Sequence, residues 1–355
     1  MTPPSSDAAV RPARRPPVVP ARAAPAPFVP VPGRPDPVVA TLRGGGHLVE
    51  FEELVPFVRD PTVTDVLVLG DRGVWIDAGH GLERVGLLLD ERRARDIGTR
   101  LVARAGRHVD EATPAVDVHH ADGIRVHVVL APISQSGTAL SIRLPSTEWY
   151  SLDDLDRRGF FTRVPRRVVE RAVLERRNVL VTGATGSGKT TLLGAMLALT
   201  PPDERIVTVE DVAELRIDHP HVVRLQARQA NAEGTGAIDL GRLVREALRM
   251  RPDRLVVGEC RGAEVRDLMA ALNTGHDGGA GTLHANGTAE LPARLEALGA
   301  LAGLDAVPLA RQAVSAFDLV LHVDRSAGRR GLASVGRLAV GAHGRLVVTD
   351  DAGRG

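Results

Sequence analysis

Nine consecutive residues carry the clearest chemistry in this chain: Gly183, Ala184, Thr185, Gly186, Ser187, Gly188, Lys189, Thr190 and Thr191. The spacing G-x-x-x-x-G-K-T is that of a phosphate-binding loop. Its glycines let backbone N–H groups turn inward around a polyphosphate, and a helix starting at its end adds the positive end of a dipole. Lys189 would reach the β- and γ-phosphates, and Thr190 would hold Mg²⁺. Lys189 is the only lysine in the chain; every other basic side chain is arginine or histidine. A compact ammonium fits a phosphate cradle that a planar guanidinium would crowd.

Three later stretches decide what such a loop could do. Leu255-Val256-Val257-Gly258-Glu259 is an apolar run ending in an acid, and Glu259 there could orient or deprotonate an attacking water. Ile206 to Val209 is a second apolar run, ending in Glu210 and Asp211, with Glu214 close behind. Two acidic strand ends in one sheet suggest a shared metal–water site, although Asp211 equally suits helix capping. The third stretch holds His276 and His284 among glycines and asparagines. It lacks the Cys pairs or H-E-x-x-H spacing of a zinc site. A histidine near a γ-phosphate can donate a hydrogen bond and sense its loss.

These residues need a scaffold that gathers strand ends. From residue 178 the pattern alternates: strands at 178–182, 205–210, 222–225, 254–259 and 281–284, helices at 190–199, 240–250, 263–273 and 290–298. Such alternation predicts a largely parallel sheet with helices on both faces and the phosphate loop at a strand's carboxyl end. A helix is expected at 165–176 and another over 308–316, followed by an antiparallel meander through 319–323, 332–338 and 346–349. Upstream the pattern is mixed: a short helix over 51–58, a hairpin at Gly70–Gly73, a helix over 90–105 and strands at 123–130 and 137–144. The expected division is a Pro/Ala/Arg-rich disordered tail over 1–37, an α+β domain over 38–146, a linker over 147–164 and a RecA-like P-loop domain over 165–350. The fold class is thus α/β, a P-loop NTPase domain preceded by a small α+β domain.

Composition narrows the partners. An apolar fraction of 43% across 355 residues is enough for two cores. A net charge of +1 gives no electrostatic case for nucleic acid. Cys260 is the only cysteine, so no internal disulfide forms and a reducing compartment is expected. No apolar run is long enough to span a bilayer, and the N-terminus lacks the apolar core of a secretory signal. A cytoplasmic protein, reaching a membrane only through partners, is the expectation.

Taken together, Gly183–Thr190, the stretch from Thr208 to Leu215, Leu248–Arg254, Gly258–Gly262 and the His276 to Asn286 stretch resemble the type II/type IV secretion ATPase superfamily. The closest resemblance is to its tight-adherence (TadA/CpaF-type) pilus assembly branch, and it covers roughly residues 48–340. The resemblance implies a hexameric, ATP- and Mg²⁺-dependent motor at the inner face of the cytoplasmic membrane, acting on membrane platform proteins to drive pilus assembly or secretion. It casts Glu210, Asp211 and Glu214 as the "Asp box", Glu259 as the Walker B acid, and His276 and His284 as the "His box". By that carry-over Glu259, Glu210, Lys189 and His284 are catalytic, and Thr190, Glu210 and Glu259 surround the metal. Arg228, Arg125, Arg143 and His276 join residues 183–191 in binding the nucleotide, with Arg125 and Arg143 reaching across a domain or subunit junction. The sequence departs from the family at Leu69, at Cys260 and over Gly279–Gly281, and no extra C-terminal module is expected. A retraction motor, a scaffold that hydrolyses little and a RecA-like nucleic-acid-handling ATPase, as in conjugal transfer, are the rival readings.

Overall fold

The computed structural model describes residues 46–120, 123–145, 149–231, 233–326 and 328–350, and the Pro-rich stretch 1–37 lies outside them. Two sheets organise the described chain. The first has six strands, β1 (Asp65–Leu69), β2 (Gly73–Asp77), β3 (Leu82–Val85), β4 (Ala115–His119), β5 (Arg125–Val129) and β6 (Ala139–Arg143), in the order β3-β2-β1-β6-β5-β4. Every pairing is antiparallel. Alternate side chains Val66, Val68, Val116, Val118, Val126, Val128, Leu140 and Ile142 are buried on one face. The helix α2 (Glu91–Arg104) packs there through Ala94, Ile97, Leu101 and Val102, and Asp90 caps its first turn. Gly98 lets helix and sheet approach, since a Cβ there would sit 3.0 Å from Val128 Cγ1. The helix expected over 51–58 is a 3₁₀ stretch, Gly46–Leu54, running into α1 (Val55–Arg59), whose first turn holds Pro56.

The segment read as a linker over 147–164 is folded from Ser151 onward. Ser151 and Asp154 form a reciprocal capping box at the start of α3 (Leu152–Arg157). Leu152, Leu155, Phe160 and Phe161 are buried with residues of the second sheet. Apolar residues this closely spaced bury too much surface to remain an open connection.

The second sheet has eight strands: β7 (Val179–Gly183), β8 (Ile206–Glu210), β9 (Val222–Gln226), β10 (Arg254–Val257), β11 (Ala280–His284), β12 (Leu319–Ser326), β13 (Arg329–Val340) and β14 (Leu346–Asp350). Their order is β14-β13-β12-β7-β11-β10-β8-β9. From β12 to β9 all pairings are parallel; β13 and β14 add an antiparallel edge. The meander expected near the C-terminus therefore extends the main sheet, because β12 pairs with β7. Leu180, Val207, Val257 and Leu283 face α6 (Leu240–Leu248), α7 (Glu264–Leu272), α8 (Leu291–Leu301) and α9 (Ala306–Ala316). Val179, Val181 and Leu321 face α3, α4 (Arg166–Leu174) and α5 (Lys189–Leu197). Burial on both faces explains the continuous apolar runs of β7 and β8. The parallel arrangement carries the ends of β7, β8, β10 and β11 to one edge of the sheet.

Candidate nucleotide-binding site

The loop between β7 and α5 is shaped by glycines that tolerate no side chain. Gly183 has φ +154, and a Cβ on it would stand 2.6 Å from Ser187 Oγ and collide with the Val323 carbonyl. Gly188, at φ +108, is the residue preceding α5, and no side chain caps that helix. Its first N–H groups therefore remain for an anion. Lys189 is 8% exposed, and its Nζ donates to the carbonyls of Gly183 (2.9 Å) and Ala184 (3.0 Å). Burial pushes its pKa down, with Glu259 opposing. The Ser187 hydroxyl is buried without a partner among the described residues.

The acids converge as the strand order requires. β8 and β10 are neighbours with Val209 opposite Val257, so Glu210 and Glu259 follow at the same edge. A small cavity there is lined by Thr190, Glu210, Asp211, Glu214, Glu259, Arg125 and Arg261. Glu210 is 4% exposed. Its Oε1 accepts from the N–H groups of Glu214 (3.0 Å) and Leu215 (2.9 Å), and its Oε2 has no partner among the described residues. Burial raises its pKa to about 7 against those two donors. Burial likewise raises Asp211. Glu259 is half-covered and accepts from Arg261 through Nε (2.8 Å) and Nη2. Its strand neighbour β11 pairs in register with β7, His284 opposite Gly183, and His284 Nδ1 lies 3.3 Å from Thr185 Oγ1.

A larger cavity of about 510 Å³ opens at Thr190 and Thr191. Arg125 and Arg143, register partners on β5 and β6, enter it from the first sheet. Arg325 and Arg330 line it from the second, Arg216 from the chain after β8, and Trp149 and Tyr150 add aromatic surface.

Two of the expected nucleotide residues stand elsewhere. His276 precedes β11 and so lies at the amino-terminal edge of the sheet, opposite the loop. Its Nδ1 is 3.1 Å from the Ala271 carbonyl, and the adjoining Gly279 N–H donates to Asn178 at the start of β7. A strand's length separates it from Gly183, so within one chain it does not reach a nucleotide at the loop. Arg228 follows β9 and lines other cavities, with its Nε donating to the Gly236 carbonyl at 2.7 Å.

Sequence reasoning missed several neighbours. Arg261 could have been found as the cation two residues past Glu259. Arg325 and Arg330 face each other across the β12–β13 turn, a position that depends on β12 pairing with β7. His322, 6% exposed, stands opposite Thr182 with Nδ1 2.9 Å from its hydroxyl, and no local motif marks it.

Among the described residues no group of three or more His, Cys, Asp or Glu could hold a metal by itself. Mg²⁺ favours a hydroxyl or carboxylate plus phosphate oxygens and waters. Thr190 shares its cavity with Glu259 and with Glu210, whose Oε2 has no partner among the described residues, and that set suits the arrangement.

The sequence matches the profile of the family described as "Type II/IV secretion system protein" over residues 48–338. A protein of Mycobacterium tuberculosis named for conjugal transfer is 49% identical over 301 residues, covering 82% of this chain and 85% of that protein. The type IV secretion system protein VirB11 of Brucella suis is 30% identical over 278 residues, covering 71% and 77%. Among solved structures, the Legionella pneumophila ATPase DotB superposes with a TM-score of 0.54 at 19% identity, covering 85% of this chain and 79% of that one, a likeness of fold.

Proposed function

The chain belongs to the type II/IV secretion system protein family, and on that premise we propose that it is an ATP-hydrolysing motor subunit. The observation that carries the reading is the convergence of an uncapped α5 with Lys189, Glu259 and the Glu210 Oε2 that lacks a partner among the described residues, all at one sheet edge.

In this reading the nucleotide's phosphates take the N–H groups of residues 186–190, and Lys189 exchanges the Gly183 and Ala184 carbonyls for phosphate oxygens. Mg²⁺, when bound beside Thr190, neutralises phosphate charge. Glu259 orients the attacking water and takes its proton, for which it must leave Arg261. Arg261, Arg125 and Arg143 supply positive charge where the transferring phosphoryl group develops negative charge. His284, bonded to Thr185, senses the state of the loop. Arg125 and Arg143 belong to the other sheet, so a change in phosphate occupancy alters what they hold and can drive the two sheets to rotate. A hexameric ring acting on platform proteins at the inner face of the cytoplasmic membrane, in a tight-adherence-type pilus or a secretion system, is the setting we propose. In that setting the domains divide near residues 146–150.

A second reading follows from the Mycobacterium tuberculosis relative's name: the work is conjugal transfer. DNA-stimulated turnover favours this alternative, whereas turnover indifferent to DNA favours pilus assembly or protein secretion. The proposal is tested by phosphate release from the purified chain with Mg·ATP: steady release that Lys189→Ala abolishes supports it. Release equal in both proteins refutes it.

A further inference from the structure

A second cleft, of about 540 Å³, lies between the end of α2 and β4 on one side and the chain after β9 on the other. Neither Thr190 nor any residue of the 183–191 loop lines it, and among the described residues no aspartate or glutamate does. Its polar lining includes Arg107, His119, His120, Arg228, Gln229 and Asn231.

The hydrogen bonds already made there sort the groups by what they have left to offer. Arg107 Nη1 donates to the Asp117 carbonyl (3.1 Å) and to Gln229 Oε1 (2.8 Å). Arg228 Nε donates to the Gly236 carbonyl. These acceptors are uncharged, and among the described residues neither guanidinium has a carboxylate within the 4.0 Å of an ion pair. Asn231 Oδ1 is occupied by the N–H groups of Glu233 (3.1 Å) and Thr235 (2.9 Å) and by the Thr235 hydroxyl. Both side-chain amides thus have their oxygens occupied, and among the described residues their NH₂ groups have no acceptor. The cleft offers donors and two guanidinium charges that, among the described residues, no carboxylate pairs within 4.0 Å. That inventory suits an anion with several acceptor oxygens, and a guanidinium fork matches phosphate best.

We propose that this cleft is a second, non-catalytic site for a phosphate group, either inorganic phosphate or the phosphate of a nucleoside monophosphate. A smaller cavity shares His119, Ala227, Arg228 and Gln229 with the cleft and is lined further on by Asp117, Asp211, Asp239, Arg125 and Arg261. The cleft therefore adjoins the acids of the first site while standing apart from its loop. The proposal does not rest on hydrolysis at that first site.

Calorimetric titration of the Lys189→Ala chain tests it, since that variant weakens phosphate binding at the loop. We expect inorganic phosphate to bind with a dissociation constant below about 10 mM. The further double change Arg107→Gln and Arg228→Gln weakens it by about tenfold or more, as loss of two charge-assisted bonds requires. Hydrogen exchange on the unmutated chain reads the same site independently of how that variant folds: phosphate slows exchange at residues 105–107 and 227–231. Equal affinity for phosphate and adenosine monophosphate identifies the free ion as the occupant; tighter binding of the monophosphate identifies a nucleotide. No binding of either, affinity unchanged by the double substitution, or protection confined to residues 183–191 overturns the proposal.

Discussion

Replacing Glu210 by glutamine should stabilise the nucleotide- and Mg²⁺-free protein, and by an amount that depends on pH. The carboxyl sits at 4% exposure with one oxygen bonded to two backbone N–H groups and the other without a partner. Its pKa rises from an ordinary 4.5 to about 7 because burial penalises the charge. A raised carboxyl pKa means that the folded state holds the proton where the unfolded state has lost it. Stability contributed by this group is therefore present at low pH and is lost as pH climbs from about 4.5 to about 7. At 1.36 kcal/mol per pH unit the full loss is about 3 kcal/mol at pH 8, and below about 1 kcal/mol at pH 5. Glutamine keeps an oxygen for the Glu214 and Leu215 N–H groups and carries no charge to bury. The variant should therefore gain about 3 kcal/mol over wild type at pH 8 and little at pH 5, equivalent to roughly 6–12 °C in Tm for a cooperative unit of a few hundred residues. Thermal melts of both proteins at the two pH values in chelator-treated buffer measure the difference, and other titrating groups cancel in the comparison. A stability difference that is the same at both pH values would refute the reasoning.

Gly258→Ala places a Cβ 2.6 Å from Glu210 Cγ and must displace that side chain; turnover should fall by about tenfold or more while nucleotide titration shows affinity nearly unchanged. Gly183→Ala puts a methyl into the Val323 carbonyl and 2.6 Å from Ser187 Oγ at φ +154, so binding of a fluorescent ATP analogue should be lost, and retained affinity would contradict the loop geometry. Glu204→Ala strips the carboxylate from Arg254, which is 2% exposed and donates through Nε to Glu204 at 2.6 Å; an uncompensated buried charge costs about 3 kcal/mol, readable as a lowered Tm with the start of β10 exchanging faster. Arg125→Ala and Arg143→Ala should each reduce turnover by about tenfold without moving Tm by more than about 2 °C, and unchanged turnover in both would remove the first sheet from the chemistry.

The centre of the second sheet was largely legible because β7, β8, β10 and β11 are buried on both faces and read as mostly apolar runs, each followed by a chemically marked residue. Glu210, Glu259 and His284 could be tied to strand ends before any coordinates. What the sequence concealed was adjacency. That β11 lies between β7 and β10, and that β12 flanks β7, depends on long-range pairing with no local signature, so Arg325, Arg330 and His322 stayed invisible as neighbours of the loop. His276 was put with the nucleotide by the family resemblance alone, whereas its place before β11 sets it at the amino-terminal edge of the sheet. β3 and β4 escaped notice because Leu82–Val85 is mostly exposed and Ala115–His119 alternates with charged and imidazole groups. The segment through Leu152 and Phe161 looked like a connection because its polar residues outnumber the four apolar ones that the core takes up.

The central claim is that Glu259 acts on the water while the loop holds ATP, and a single-turnover experiment on Glu259→Gln tests it most directly. Radiolabelled ATP mixed with excess enzyme should bind with affinity close to wild type and remain intact, its cleavage slowed by about a hundredfold or more. Cleavage at the wild-type rate would contradict the account.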